Sequence, residues 1–392
     1  MNPLLQGIRV LDLSNVLAGP FCGYQLALMG ADVIKVETPD GGDLARQLGA
    51  DAELNAQHMG TSFLAQNANK RSVVLDLKSP QGRETFLALV RASDVVLENF
   101  RPGVMARLGL GHETLRQIKP GLIYCAISGF GQDGPLAKAP AYDQIIQGRS
   151  GVMSITGDAE TAPLRVGYPV CDTLGGLMAA FAISSALVRR AQTQEGAFID
   201  VSMLDSTLAA MGWIVSNLLI AGQAPVPMGN ENFTASPSGT FATGEGLLNI
   251  AANKQEQFET LCDVVGAPEL KTDERFAQRE ARKCHRQALR EALEARLDGS
   301  DATSWEARLN QAGVPAGSVL SVAEALAQPQ VAQRGLVAHL PLQVKGHDQV
   351  SLTASAFLVD GQRQVPHLPP PTLGQHTAAV LQELGISVPG EA

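Results

Sequence analysis

Five short apolar runs separated by helical stretches constrain the fold of this chain more than any other feature. They are "GIRVLDL" (7–13), "DVIKVE" (32–37), "SVVLDL" (72–77), "DVVLEN" (94–99) and "LIYCAIS" (122–128). Each is the length of a buried strand, and helical patterns such as 20–30 and 79–92 fall between them. This rhythm predicts a parallel α/β sheet with crossover helices. A helix is expected from Asp172 to about Gln194, then a strand over 197–203 and an apolar helix over 204–221.

The composition then shifts. "AGQAPVPMGNENFTASPSG" (221–239) is rich in Gly, Pro, Asn and Ser and reads as a linker or domain boundary. The next segment, "GTFATGEGLLNIAAN", has turn residues at its centre and predicts a hairpin. The charged run "DERFAQREARKCHRQALREALEARL" reads as a helix with a solvated face. After about residue 330 strand-like runs return, and "PPPTLGQHTAAVLQELG" predicts a closing helix.

Charge and motifs narrow the function classes. Thirty basic residues against 39 acidic give a net charge of −9, which argues against nucleic acid or an anionic membrane surface as partner. The five cysteines are scattered, with no CxxC pair, and suggest reduced thiols in a cytoplasmic protein without a metal site. The N-terminal residues lack a signal-peptide pattern, and no uninterrupted apolar run reaches 18 residues, so no membrane span is expected. There is no GxxxxGK[ST] loop, HExxH or GxSxG. "GFGQDG" (129–134) fits G-x-G-x-x-G, but prolines at 135 and 140 follow where a dinucleotide site needs a helix. A loop is expected there, which disfavours a dinucleotide oxidoreductase.

One carboxylate stands out. In "VGYPVCDTLGGLMAA", Asp172 lies between a Gly-Tyr-Pro turn and a small-residue helix, where an aspartate ordinarily caps the helix. The adjacent Cys171 has no histidine nearby in sequence to activate it and reads as a packed thiol.

Several segments, in order along nearly the whole chain, resemble the family III CoA-transferases. They include "GIRVLDLSNVLAGPFC", "LMGADVIKVETP", "NKRSVVLDLKSPQG", "ENFRPGVMARLGLG", "AYDQIIQGRSGVMSITG" and "PPPTLGQHT". The resemblance implies a Rossmann-like large α/β domain built from both chain ends, 1–224 and 330–392. It also implies an inserted smaller α+β domain, 225–329, and a homodimer of two chains linked like rings. It places the catalytic aspartate at Asp172, which would attack an acyl-CoA thioester and carry CoA as an aspartyl thioester. A helix N-terminus would help keep that carboxylate ionised. CoA and its acyl esters are then substrates, with no tightly bound cofactor.

By match to the family pattern, CoA would be bound by Leu17 and Ala18, by Asn69, Lys70 and Arg71, by Asn99, Phe100, Arg101 and Arg107, and by Ala141, Tyr142 and Asp143. The family's formyl-CoA branch carries glutamine where this chain has Leu17, and a glycine run where it has "AANK" (251–254). The "AANKQEQF" segment and "PPPTLGQHT" look more like the succinate/glutarate branch, which implies succinyl-CoA as donor and a dicarboxylate as acceptor. Arg165 and Lys254 are the cations expected to meet the distal carboxylate. Two rivals are an acyl-CoA racemase of the same superfamily and a non-catalytic CoA-binding protein. Related racemases carry histidine where this chain has Tyr142, and an unperturbed tyrosine is a poor base at neutral pH.

Overall fold

A computed structural model describes residues 3–386; residues 387–392 of the expected large domain lie outside the described residues. The chain divides into two compact units. The larger comprises residues up to Val152, Arg165–Gln223, and the chain from Pro329 onward. The smaller comprises Met153–Leu164 and Ala224–Gln328. The sequence-based boundaries place 153–164 in the large domain. In the structure this segment joins the smaller unit, where the Gly157 carbonyl accepts the Gly229 N–H at 2.7 Å.

Six strands form the sheet of the larger unit: β1 (Arg9–Asp12), β2 (Asp32–Glu37), β3 (Lys70–Val74), β4 (Val95–Glu98), β5 (Ile123–Ser128) and β6 (Ala197–Ser202). Their order is β3-β2-β1-β4-β5-β6, and every pair is parallel. Alternate residues feed two apolar layers. Val95, Leu97, Ile123, Cys125 and Ile127 pack on one face, and Val96, Tyr124 and Ala126 on the other. Cover on both faces is why these strands read as continuous apolar runs.

The helices follow local rules. Helix α1 (Ala18–Leu28) returns over the sheet from β1, and α2 (Pro80–Arg91) starts with the Ser79 hydroxyl accepting the Gly82 N–H, with proline at its first position. Phe86, Leu89 and Val90 form its buried stripe. Three further helices are α3 (Asp143–Arg149), the long α4 (Val170–Thr193) and α5 (Met203–Ala210). Next comes α6 (Gly212–Ala221), so the single helix expected over 204–221 is two, bent by 76° at the Met211–Gly212 junction. Glycine inside a helix carries the largest backbone-entropy loss, and this is where the helix breaks.

Helix α4 has the length and apolarity of a membrane span, which the sequence reading did not register. In the fold it lies against α1, α5 and β5, and Cys171, Gly175, Ala179 and Ile183 face the core. Its glycines allow close approach: a Cβ on Gly176 would stand 2.5 Å from the Ala18 carbonyl oxygen.

The smaller unit contains the antiparallel sheet β7 (Ser238–Ala242), β8 (Leu247–Ala251) and β9 (Ala316–Ser318) over a core that includes Phe241, Phe258, Leu293 and Trp305. The charged run is two helices, Arg279–Cys284 and Arg286–Leu297, rather than one. Nor is it all solvated. Arg282 is buried, donating to the carbonyls of Ser236 and Phe276 and lying over the Phe258 ring.

Candidate active site

The strand order reverses between β1 and β4, and at such a point the loops after the strands part to leave a crevice. Two cavities occupy it. One, about 430 Å³, is lined by the loop after β1 (Asn15–Ala18), by Asn99–Arg101 after β4, by Ala141 and Tyr142, and by Asp172. The other, about 290 Å³, is lined by apolar side chains including Leu13, Val36 and Leu75, with the cations Lys78 and Arg107 and the carboxylates Glu37 and Asp76. Asn15 and Phe100 line both, so the cavities adjoin.

The loop after β1 is held from beneath by buried charge. Lys35 pairs with Asp43 at 2.9 Å and donates to the Ser14 carbonyl at 2.8 Å. Asp43 accepts the N–H of Val16, a β-branched residue held at φ 65°, where such residues are rare. Asp12 accepts the Ser14 N–H and pairs with Lys70 at 2.8 Å. Asn15 and Asn99 complete the brace, each donating an N–H to the other's oxygen at 2.7 and 2.8 Å. Beside them, Glu98 accepts the Phe100 N–H at 2.7 Å and the Tyr124 hydroxyl at 3.2 Å; burial pushes its pKa up to about 7.

Asp172 does not cap its helix. The first residue of α4 is Val170 and Pro169 stands at the cap, so Asp172 is the third helical residue. The capping bonds come from α3 instead, where the Asp143 Oδ1 accepts the N–H of Cys171 at 2.8 Å and of Asp172 at 3.4 Å. The Asp172 carboxyl accepts no hydrogen bond from the described residues. Burial, and then the neighbouring Asp143 charge, push its pKa up to about 7. The expected ionising effect of the helix terminus is therefore outweighed by desolvation. Cys171 is buried, and its thiol is pushed up to about 11 by desolvation, as suits a packed thiol.

The expected CoA contacts divide. Leu17, Ala18, Asn99, Phe100, Arg101, Ala141 and Tyr142 line the cavity holding Asp172, and Arg107 the adjoining one. Four others line neither. Lys70 is fully buried against Asp12 and the Pro20 carbonyl. Arg71 forks onto Asp32 and reaches Glu383 at 2.6 Å. Asn69 accepts the N–H groups of His367 and Leu368 through its side-chain oxygen. Lys70 and Arg71 start β3 and Asn69 directly precedes it, all at its amino end, whereas ligands meet parallel sheets at the carboxyl end. Asp143 is turned toward the backbone of α4.

Arg165 is exposed and lines neither cavity, and Lys254 belongs to the smaller unit, directly before helix Gln255–Val264. The sequence reading missed Lys78, although it lies within a quoted segment. Its signal was position, just beyond the carboxyl end of β3.

Comparison with known proteins agrees with this geometry. The model of CoA-transferase family III matches residues 5–377. The succinate–glutarate CoA-transferase of Agrobacterium fabrum is 39% identical over 98% of this chain and 96% of its own length. The acetyl-CoA:oxalate CoA-transferase of Acetobacter aceti is 42% identical over 91% and 93%. A CAIB/BAIF family protein from Brucella suis superposes with a TM-score of 0.85 at 36% identity, covering 98% of this chain and all of its own. The family match over residues 5–377 and relatives that are CoA-transferases over nearly the full length lead to one assignment: the chain belongs to CoA-transferase family III and is a CoA-transferase.

Proposed function

We propose that this CoA-transferase moves CoA from succinyl-CoA to a second dicarboxylate, with Asp172 as the covalent carrier. The observation that carries this reading is the uncommitted Asp172 carboxyl, in a cavity that shares Asn15 and Phe100 with one bearing Lys78 and Arg107. The second cavity's apolar walls and its two cations suit the phosphorylated nucleotide end of CoA; of its two carboxylates, Glu37 is already held by Arg46 and Ser72, and Asp76 is exposed. The thioester arm then passes Asn15 and Phe100 to reach Asp172.

In the reaction, the Asp172 carboxylate attacks the thioester carbonyl, and the C–S bond breaks to give a mixed anhydride and CoA thiolate. The thiolate attacks the aspartyl carbonyl, releasing succinate and leaving an aspartyl-CoA thioester. The second acid's carboxylate expels the thiolate from that thioester. The thiolate then takes the new acyl group and frees Asp172. Each step exchanges one acyl bond for another, so no ATP or water is consumed.

The acceptor class rests on charge. Arg101 is the one cation among the described residues lining the cavity of Asp172, so it replaces Arg165 and Lys254 as the partner of a distal carboxylate. A charge-assisted bond of about 1.5–3 kcal/mol favours a dicarboxylate roughly ten- to a hundredfold. Succinate and glutarate should therefore exceed butyrate and valerate by that factor in kcat/KM. Arg101→Gln should remove most of the preference, while Arg165→Ala and Lys254→Ala leave it. Equal use of the mono-acids by the unmodified enzyme would end the dicarboxylate assignment.

A homodimer is supported by apolar surface on the larger unit. No residue of α6 is buried, Trp213 and Ile220 are 72% and 86% exposed, and Phe181 on α4 is 71% exposed. A second copy of this chain would cover these faces. Light scattering should give twice the chain mass, and a monomer at micromolar concentration would refute the pairing.

A further inference from the structure

The sequence singled out Asp143 as a CoA contact, and the structure turns it elsewhere. Asp143 and Gln147 stand one turn apart on α3, both buried. The Gln147 amide donates to Asp143 Oδ2 at 2.7 Å and to the Tyr168 carbonyl at 3.3 Å. Its oxygen accepts the Val166 N–H at 2.9 Å. Asp143 Oδ1 meanwhile takes the N–H groups of Cys171 and Asp172. One face of α3 thus grips both the turn before α4 and the first turn of α4 itself.

The first N–H groups of a helix need acceptors, and an acidic side chain in the first turn readily folds back onto them. Pro169 at the cap position has no side-chain acceptor to offer. Without Asp143, Asp172 is the nearest carboxylate to fill that role.

We propose that Asp143 is a positioning residue: by occupying the first-turn N–H groups of α4, it keeps the Asp172 carboxyl off its own helix and free for substrate. This rests on the assignment of Asp172 as the covalent carrier. Asp143 also adds to the proton affinity that burial gives Asp172, and a more basic carboxylate is a stronger nucleophile. Other ionisable groups border the site. Cys171 adjoins Asp172 in α4, and Asp40, Arg101 and Tyr142 lie on the cavity wall. Helices α1 and α5 meet the cavity with the uncharged Ala18 and Met203. Glu98, raised to about 7, ends β4 nearby.

The test uses full-length Asp143→Asn and Asp143→Ala enzymes. In Asp143→Asn the amide oxygen can still accept the N–H groups of α4, but the charge and the acceptor for the Gln147 amide are gone. The acid limb of kcat/KM, expected near pH 7 in the unmodified enzyme, should move down by about half to one unit in Asp143→Asn. Asp143→Ala should lose about ten- to a hundredfold in kcat, with KM for succinyl-CoA changed by less than about twofold. A second readout needs no activity: carboxyl carbon-13 NMR of aspartate-labelled protein follows Asp172 directly, its signal identified with Asp172→Asn, and glutamates such as Glu98 stay silent. That titration should shift down in Asp143→Asn by the same amount. An unmoved Asp172 titration with only a lower melting temperature would overturn the proposal. So would a raised KM with kcat intact, which is the signature of a CoA contact. A shifted titration in an enzyme whose transfer survives Asp172→Ala would instead refute the covalent-carrier assignment and leave the positioning contacts standing.

Discussion

Asp172→Ala and Asp172→Asn are expected to lower transfer by about 10⁴-fold or more while succinyl-CoA binding survives. Among the described residues two carboxylates line the cavity; Asp40 is exposed, whereas Asp172 is partly buried, its carboxyl accepts no hydrogen bond from the described residues, and its pKa is pushed up to about 7. Rapid-quench mass spectrometry of the unmodified enzyme with succinyl-CoA should find the mass of CoA on the peptide containing Asp172, and none on the variants. Near-native turnover by either variant, or direct transfer without an adduct, would sink the mechanism.

The same substitution has a consequence for stability. The folded-state pKa of Asp172 is raised above the ordinary carboxylate value, so the folded chain binds that proton more tightly than the unfolded chain. Its stabilising contribution is full below about pH 4 and is lost as pH rises through 7. Above pH 7 the buried carboxylate opposes folding, and Asp172→Asn removes that cost. The variant should be more stable at pH 8 by on the order of 1–3 kcal/mol, with the difference shrinking toward pH 5. A gain in stability together with loss of activity marks a group kept for chemistry.

The second large effect is structural. Lys70→Met should destabilise the fold by about 3–5 kcal/mol, because it leaves the Asp12 charge buried without its partner. Urea unfolding measures the loss directly. The opposing view, in which Lys70 holds CoA, predicts a higher KM for succinyl-CoA at unchanged stability. Lys70 and Asp12 have fully buried side chains, and Asp12 accepts the Ser14 N–H at the root of the loop lining both cavities. The stability loss should therefore come with weaker acyl-CoA binding as a secondary effect, and Asp12→Ala should reproduce both.

The alternation of apolar runs with helical stretches was enough to read the parallel sheet. A strand covered on both faces needs an apolar run, and β1 to β5 each contain one, although the buried charges Asp12, Lys35 and Lys70 interrupt it. Turn chemistry likewise revealed the β7–β8 hairpin. That Asp172 and the residues after β1 and β4 share one cavity was foreshadowed by the order of family-like segments along the chain, and for the latter by their places beyond strand ends. Helix breaks were less legible: the apolar run over 204–221 bends by 76° beside Gly212, and the charged run divides at His285.

Charge was the least readable property. Lys70, Arg71 and Arg107 are all cations within or near quoted motifs, yet only Arg107 reaches a cavity. A charged side chain is written the same way whether it meets solvent, ligand or a buried partner. Which it meets depends on the strand end where it emerges and on the acids brought there from distant parts of the chain, such as Asp12, Asp32 and Glu383. The sequence by itself determined the layered sheet, because strand periodicity is local, and singled out Asp172 only through the resemblance of its segment to the family. The tertiary structure alone decided that Asp143, 29 residues away, caps α4 in place of Asp172, because a carboxylate's role is set by the nearest open N–H groups in space.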